Sequence, residues 1–348
     1  MIQRRSLLKS SAAAVALGAP GLAALAQQAV TLKFHTFMAP MSNVWLNMHK
    51  AWMDKVEKES NGRIKFEAYH SMQLGGTPFQ LYDQVKDGVV DVVWTLPGNS
   101  PGRFPRVEVF ELPFMMNNAE ATSKAYWEYL QTSAPDEFKE VQLLAVNVHG
   151  PGFFHSRDKQ IKSAADLKGM KVRGPTRQVT KLLGSLGATP VGMALPAITD
   201  AISKGTIDAC ALPWEVVPSI KVQELAKFHS EFPVDKPALY TTTFVMGMNK
   251  AKYDSLAPDL KKVIDANSGL ATSGWLGKTQ QSGDAAGRKS ATDLKNTVYT
   301  FSAAEAEQFA KLSSHVDDEW VADMNKRNFD GKKLLETAKT LIAKHGKA

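Results

Sequence analysis

One cysteine, Cys210, stands among 348 residues, so the chain closes no internal disulfide and builds no cysteine-based zinc site. None of its eight histidines forms an H-E-x-x-H pair, and neither G-x-x-x-x-G-K-[ST] nor G-x-G-x-x-G occurs. A zincin site and a phosphate-cradling loop are therefore unsupported. Past the N-terminus there is no long uncharged stretch, which excludes a polytopic membrane protein. Basic clusters interleaved with aromatic residues are missing too, so nucleic acid is not an expected partner. What remains is ordinary globular composition, 44% hydrophobic and 22% charged, at a length that suits two domains.

Residues 1–26 read as an export signal. Arg4-Arg5 resembles a twin-arginine pattern, an Ala-rich run follows from Ser11, and Ala24-Leu25-Ala26 offers an A-x-A cleavage site. A Sec signal that carries an arginine pair by chance is the alternative, and either one sends the chain to the periplasm. Without Arg4, Arg5 and Lys9, 39 basic residues face 35 acidic ones, a mild excess that suits an anionic ligand.

Thr31 to Phe37 alternates like a strand, Trp45 to Glu59 has helical spacing, and Arg63 to Ala68 alternates again. That order predicts a βαβ unit. Leu81 to Asp91 and Ile198 to Asp208 then share one form: an amphipathic helix ending at a glycine, two residues, and an Asp opening an apolar strand. The repeat points to an α/β fold with two similar lobes, the alternative being chance recurrence of a common unit. Residues 27–150 plus about 240–285 are expected in lobe I, and 151–239 plus about 286–348 in lobe II. Pro258 to Lys295, free of internal proline, predicts a long helix spanning both lobes, on the order of 55 Å if unbroken. Gly269, Gly274, Gly277, Gly283 and Gly287 predict a bend or break in it. Repeated crossing between lobes predicts a hinge and rigid-body closure.

Gly98-Asn99-Ser100-Pro101-Gly102 fits the G-x-S-x-G string of a nucleophile elbow. Pro101 has no N–H, which removes an oxyanion donor worth roughly 3 kcal/mol, so a plain turn is the better reading. His149 and His155 bracket a loop, where a hydrogen-bonded structural role competes with a pocket-lining one. Met38, Met41, Met48 and Met53 read as core or near-core. Arg173 is the most informative charge. It ends an apolar strand just before Gly174-Pro175, and open α/β sheets bind ligands beyond the carboxyl ends of their strands. A guanidinium there can clasp a carboxylate through two parallel hydrogen bonds; an ion pair with a neighbouring surface carboxylate is the alternative.

Together, Gly75-Gly76, Gly88-Val89-Val90-Asp91, Leu112-Pro113-Phe114, the stretch Asp166 to Arg173 and Gly205-Thr206-Ile207-Asp208 carry a resemblance over the whole mature chain. It is to the DctP-type extracytoplasmic solute-binding protein of tripartite ATP-independent periplasmic (TRAP) transporters. The resemblance implies two α/β lobes, a helix spanning both, closure around an organic acid, delivery to TRAP membrane subunits, and Arg173 gripping the carboxylate. No cofactor, metal or catalysis is expected. Where many relatives have a second arginine after Gly-Phe, this chain has Phe154 after Gly152-Phe153. Where many have Asn before the proline matching Pro213, it has Leu212, and Phe37 replaces a frequent polar residue. Trp94, Met193 and Trp214 fall near other cleft positions. The expected ligand set is Arg173, Phe37, Trp94, Phe153, Phe154, Met193 and Trp214. Apolar walls would leave sugar-acid hydroxyls unpaired at roughly 1–3 kcal/mol each. The expected ligand is thus a small monocarboxylate, a hydroxy or oxo acid with an aliphatic or aromatic body. Dicarboxylates rank lower. A secreted serine hydrolase using Ser100 and the binding component of an ATP-driven importer are the alternative functions.

Overall fold

In the computed structural model, residues 29–347 are described, and the export-signal reading of residues 1–26 lies outside them. Eleven strands form two sheets among the described residues. The first sheet takes β1 (Val30–His35), β2 (Ile64–Tyr69), β3 (Val92–Thr95) and β4 (Gln142–Val148). The second takes β5 (Gly152–Ser156), β6 (Lys171–Gly174), β7 (Thr189–Gly192), β8 (Ala209–Pro213), β9 (Phe228–Glu231) and β11 (Thr297–Thr300). Between β9 and β11 the chain returns to the first sheet as β10 (Thr243–Met248). The strand orders are β2-β1-β3-β10-β4 and β11-β9-β5-β8-β6-β7.

Alternation explains β1: Leu32 and Phe34 are fully buried while Thr31 and Lys33 face out. Helical turns from Val44 to Glu59 connect it to β2, which lies parallel to it with Val30 opposite Ile64. The repeated helix–glycine–aspartate unit has one physical purpose in both lobes. Gly88 and Gly205 take left-handed φ values of 76° and 66°, which glycine adopts without a Cβ penalty. The aspartate that follows then locks the neighbouring strand. Asp91 Oδ2 accepts Lys33 N–H at 2.8 Å, and Asp208 Oδ2 accepts Lys171 N–H at 2.8 Å.

The chain passes between the sheets at residues 149–151, at 232–242, and along a helical segment. That segment is not the single helix expected from Pro258 to Lys295. Pro258–Ala266 stops at Asn267, whose carbonyl accepts Trp52 Nε1–H at 2.9 Å. Gly269–Gln281 and Asp284–Asp293 follow, separated only by Ser282 and Gly283, both still right-handed. These 25 residues run for about 37 Å at 1.5 Å per residue. Gly269–Gln281 packs on helix Ala119–Ser133 and on β4, and Asp284–Asp293 packs on the turn Trp214–Val216 of the second sheet. Most of the glycines that were expected to weaken the helix let it approach its neighbours. A Cβ on Gly287 would lie 1.9 Å from the Trp214 carbonyl oxygen.

One part of the expected lobe division needs correction. Helix Gly331–Gly346, expected with lobe II, lies on Ala119–Ser133 beside the first sheet. Leu334, Ala338, Leu341 and Ile342 give it an apolar stripe, and Lys344 and His345 both reach Glu128, at 2.6 and 2.8 Å. Helices Ala303–Ser313 and His315–Lys326 pack on Arg177–Ser185 of the second lobe.

Candidate functional site

Strands β6, β7 and β8 run parallel, so their carboxyl ends share one edge. Arg173, Ala194, Leu212 and Glu215 leave that edge for the space between the sheets. From the other side come Phe37 after β1, Trp94 on β3, and Phe244 at the amino end of β10. The crossing segments add His149 and Tyr240, and the bridging helix adds Gln280. These groups line a cavity of about 50 Å³, several times the roughly 10–15 Å³ one water needs. It is sized for a small organic molecule.

Its walls are aromatic. Trp94 stacks on Phe244 with centroids 4.1 Å apart and planes 9° from parallel, and on Phe37 at 5.6 Å. Arg173 is the charge inside. On β6 the alternation sends Val172 into the core and Arg173 to the other face, where it is only 4% exposed. Nε donates to the Met193 carbonyl at 2.9 Å and Nη1 to that of Ala211 at 3.1 Å. No carboxylate among the described residues pairs with it, and burial pulls its pKa down. A buried cation held only by carbonyl dipoles is costly until an anion joins it.

Two more polar groups border the Arg173 end. The buried Tyr240 hydroxyl has no partner among the described residues, and burial raises its pKa, with Arg173 opposing. His149 Nδ1 faces the Gly150 carbonyl, which can only accept, so Nδ1 carries the proton and Nε2 keeps its lone pair. Burial, with Arg173 adding to it, holds His149 neutral at a pKa of about 4. Glu215 is also buried. Its Oε1 accepts Gln280 Nε2–H at 2.8 Å, Oε2 has no partner among the described residues, and burial pushes the carboxyl up to about 8.

The model of bacterial extracellular solute-binding protein family 7 matches residues 35–323. The chain belongs to this family. It is a periplasmic family of substrate-binding receptors. The chain is 70% identical to a TRAP solute-binding protein from Rhodoferax ferrireducens, solved in complex with copurified benzoate, over 91% of this chain and 99% of that one, with a TM-score of 0.91. It is 49% identical to a marine metagenome TRAP solute-binding protein specific for aromatic acid ligands, co-crystallised with 3-hydroxybenzoate, over 91% and 99% of the two chains, with a TM-score of 0.89. The outer membrane transporter protein TsaT of Comamonas testosteroni is 25% identical over 320 residues, covering 88% of this chain and 90% of that protein. The two-lobed fold is thus that of the TRAP solute-binding proteins.

In this solute-binding protein the seven expected site residues divide. Arg173, Phe37 and Trp94 line the cavity. Met193 offers Arg173 its backbone carbonyl instead of its side chain. Trp214 is core: its ring packs on His155 and His229, and Nε1 donates to Glu231 at 3.0 Å. Phe153 packs on Trp214, and Phe154 on Phe232 and Phe309. Ser100 ends the turn Pro97–Asn99, its N–H donating to Pro97 at 2.9 Å, and its hydroxyl meets no histidine or carboxylate among the described residues. Tyr240, Glu215, Gln280 and Phe244 escaped sequence reasoning. Only Glu215 carried a signal, as a carboxylate just past the carboxyl end of an apolar strand.

Buried titratable groups set a pH profile for stability. His49, His149, His155 and His229 are held neutral by burial at about 3, 4, 4 and 2. The unfolded chain takes up these protons below 6.5, so the native state loses stability as pH falls through this range. Glu111, Glu137 and Glu215 keep their protons up to about 7, 6 and 8, again through burial, whereas the unfolded chain releases them near 4.5. Their contribution is lost as pH rises from 4.5 to about 8. The two sets oppose each other between about 4.5 and 6.5. Melting temperature should be nearly level there, fall above 6.5 and fall again below 4.5. A monotonic rise from acid to pH 8 in differential scanning fluorimetry contradicts the assignment of the carboxyls.

Proposed function

We propose that this protein is the periplasmic receptor for a small aromatic monocarboxylate, which it encloses between two lobes and hands to TRAP membrane subunits. The observation that carries the reading is Arg173, a buried guanidinium with no carboxylate partner among the described residues, in a cavity walled by stacked aromatic rings. A carboxylate completes that cation with charge-assisted hydrogen bonds, and a flat ring fills the slot beside Trp94 and Phe37. The benzoate of the Rhodoferax relative has this chemistry. Sugar acids would bury several hydroxyls against apolar walls, at roughly 1–3 kcal/mol for each left unpaired. Ser100 does not line the cavity, and its hydroxyl meets no histidine or carboxylate among the described residues.

Lobe I is proposed to comprise residues 27–150, about 240–285 and the helix Gly331–Gly346, and lobe II residues 151–239 and about 286–330. Residues 1–26 would direct export and be removed. Calorimetric titration with benzoate, glucuronate and succinate tests the ligand class. Benzoate should bind at micromolar concentration or below, with the other two at least about 100-fold weaker, as two or more unpaired polar groups require. Tighter binding of glucuronate or succinate overturns the proposal. Trp94→Phe, which opens one wall, should move the ranking toward ring-substituted benzoates. Trp214→Phe should leave the ranking alone, since that ring lies in the core.

A further inference from the structure

The cavity has a second polar pole. Glu215 is 3% exposed and lines the cavity, yet its Oε2 has no partner among the described residues. A buried carboxyl oxygen left unpaired costs free energy unless something else meets it. The carboxyl is not free to turn away. Trp94 Nε1–H donates to Asn147 Oδ1 at 3.0 Å, Asn147 Nδ2–H to Gln280 Oε1 at 2.7 Å, and Gln280 Nε2–H to Glu215 Oε1 at 2.8 Å. Because an indole only donates, the direction of this relay is fixed from its first member. The backbone holds the other side: Glu215 N–H donates to Asp284 Oδ1 at 2.9 Å. One oxygen is thus tied to the bridging helix, while the other is buried and unpaired among the described residues, on a side chain that lines the cavity.

The two groups are held by different partners: Arg173 by the carbonyls of Met193 and Ala211, Glu215 by Gln280 and Asp284. The rings of Phe37, Trp94 and Phe244 line the same cavity. The complement of such a cavity is a flat acid that carries a carboxylate for Arg173 and a second hydrogen-bonding group for Glu215. A hydroxyl suits Oε2 in either protonation state, since it both donates and accepts. We infer that Glu215 is a specificity-determining residue that reads a hydroxyl on the ring of the bound aromatic acid through Oε2. This rests on the aromatic-acid reading above and adds to it the substituent that the receptor selects.

The test is calorimetric titration of benzoate and of 2-, 3- and 4-hydroxybenzoate into wild-type protein, Glu215→Leu and Glu215→Gln. Wild-type protein should bind one hydroxy isomer about tenfold or more tighter than benzoate, the value of one hydrogen bond to a charged or strongly polar partner. In Glu215→Leu that preference should collapse to within about twofold of parity, because no polar atom remains to meet the hydroxyl. Glu215→Gln, nearly the same shape, should retain part of the preference and guards against a leucine variant that fails to fold. A wild-type protein that binds benzoate without favouring any hydroxy isomer overturns the inference. So does a preference that survives unchanged in the folded variants. Wild-type protein that binds none of the four acids overturns the aromatic-acid reading itself, and the two failures are told apart by the wild-type titrations alone.

Discussion

Arg173→Ala should abolish measurable binding of benzoate at micromolar concentration while the protein stays folded. In the enclosed cavity the ligand carboxylate has exchanged water for the guanidinium, and removing one member of such a pair typically costs about 2–5 kcal/mol. At about 1.4 kcal/mol per decade, that is roughly a 30- to 4,000-fold loss of affinity. Arg173→Lys should also weaken binding, because an ammonium offers no fork to match both carboxylate oxygens. Folding should survive, because Arg173 makes two hydrogen bonds, to the carbonyls of Met193 and Ala211, and pairs with no carboxylate among the described residues. Ligand at 100 times its dissociation constant stabilises the wild-type fold by about 2.7 kcal/mol. A thermal shift seen with wild-type protein and missing from Arg173→Ala is therefore the quick readout, with calorimetry for the magnitude. Wild-type affinity in a folded Arg173→Ala protein would sink the assignment.

How much of this was legible without coordinates depends on how local each cause is. Arg173 could be read because a strand, its last side chain and the exit at Gly174-Pro175 are consecutive. Phe37 and Trp94 follow from the family resemblance instead, which names cleft positions without any argument from local spacing. The repeated aspartates could be recognised as a pattern, though their role of locking Lys33 and Lys171 needs the third dimension. Trp214 and Glu215 show where local reading stops. Beyond Pro213 the backbone turns as Trp214–Val216, strand alternation ends, and the facing of the two side chains is decided by packing. His229 and His155 take the indole, and the cavity takes the carboxyl. The Asn147–Gln280 contact joins residues 133 apart in sequence, and the Gln280–Glu215 contact residues 65 apart. Neither follows from spacing. Tyr240 enters the cavity from a crossing segment that has no regular structure to betray its direction. The C-terminal helix was misplaced because an apolar stripe tells that a helix packs, but not on which lobe.

Gly287→Ala should destabilise the protein and weaken ligand binding together, against the usual effect of this substitution. In an exposed helix interior, replacing glycine with alanine gains about 1 kcal/mol. Here the added Cβ would stand 1.9 Å from the Trp214 oxygen and 2.5 Å from its carbonyl carbon. Those are backbone atoms, so no side-chain rotation relieves the clash, and the helix and the turn Trp214–Val216 must separate. Overpacking of this kind typically costs about 1–3 kcal/mol, which exceeds the gain in helix propensity. The same displacement pulls at the bond from Glu215 N–H to Asp284 and shifts Glu215 and Val216 in the cavity wall. Gly274→Ala, in the preceding turns of the bridging segment, supplies the contrast. Its Cβ would meet only the Lys124 side chain, at 2.5 Å, and that flexible chain can move aside. Gly274→Ala should therefore be neutral or stabilising, with binding intact. Denaturant melts and benzoate titrations on both variants decide the matter. Equal behaviour of the two would mean that the close contact at Gly287 does not govern how the bridging helix holds the second lobe against the ligand.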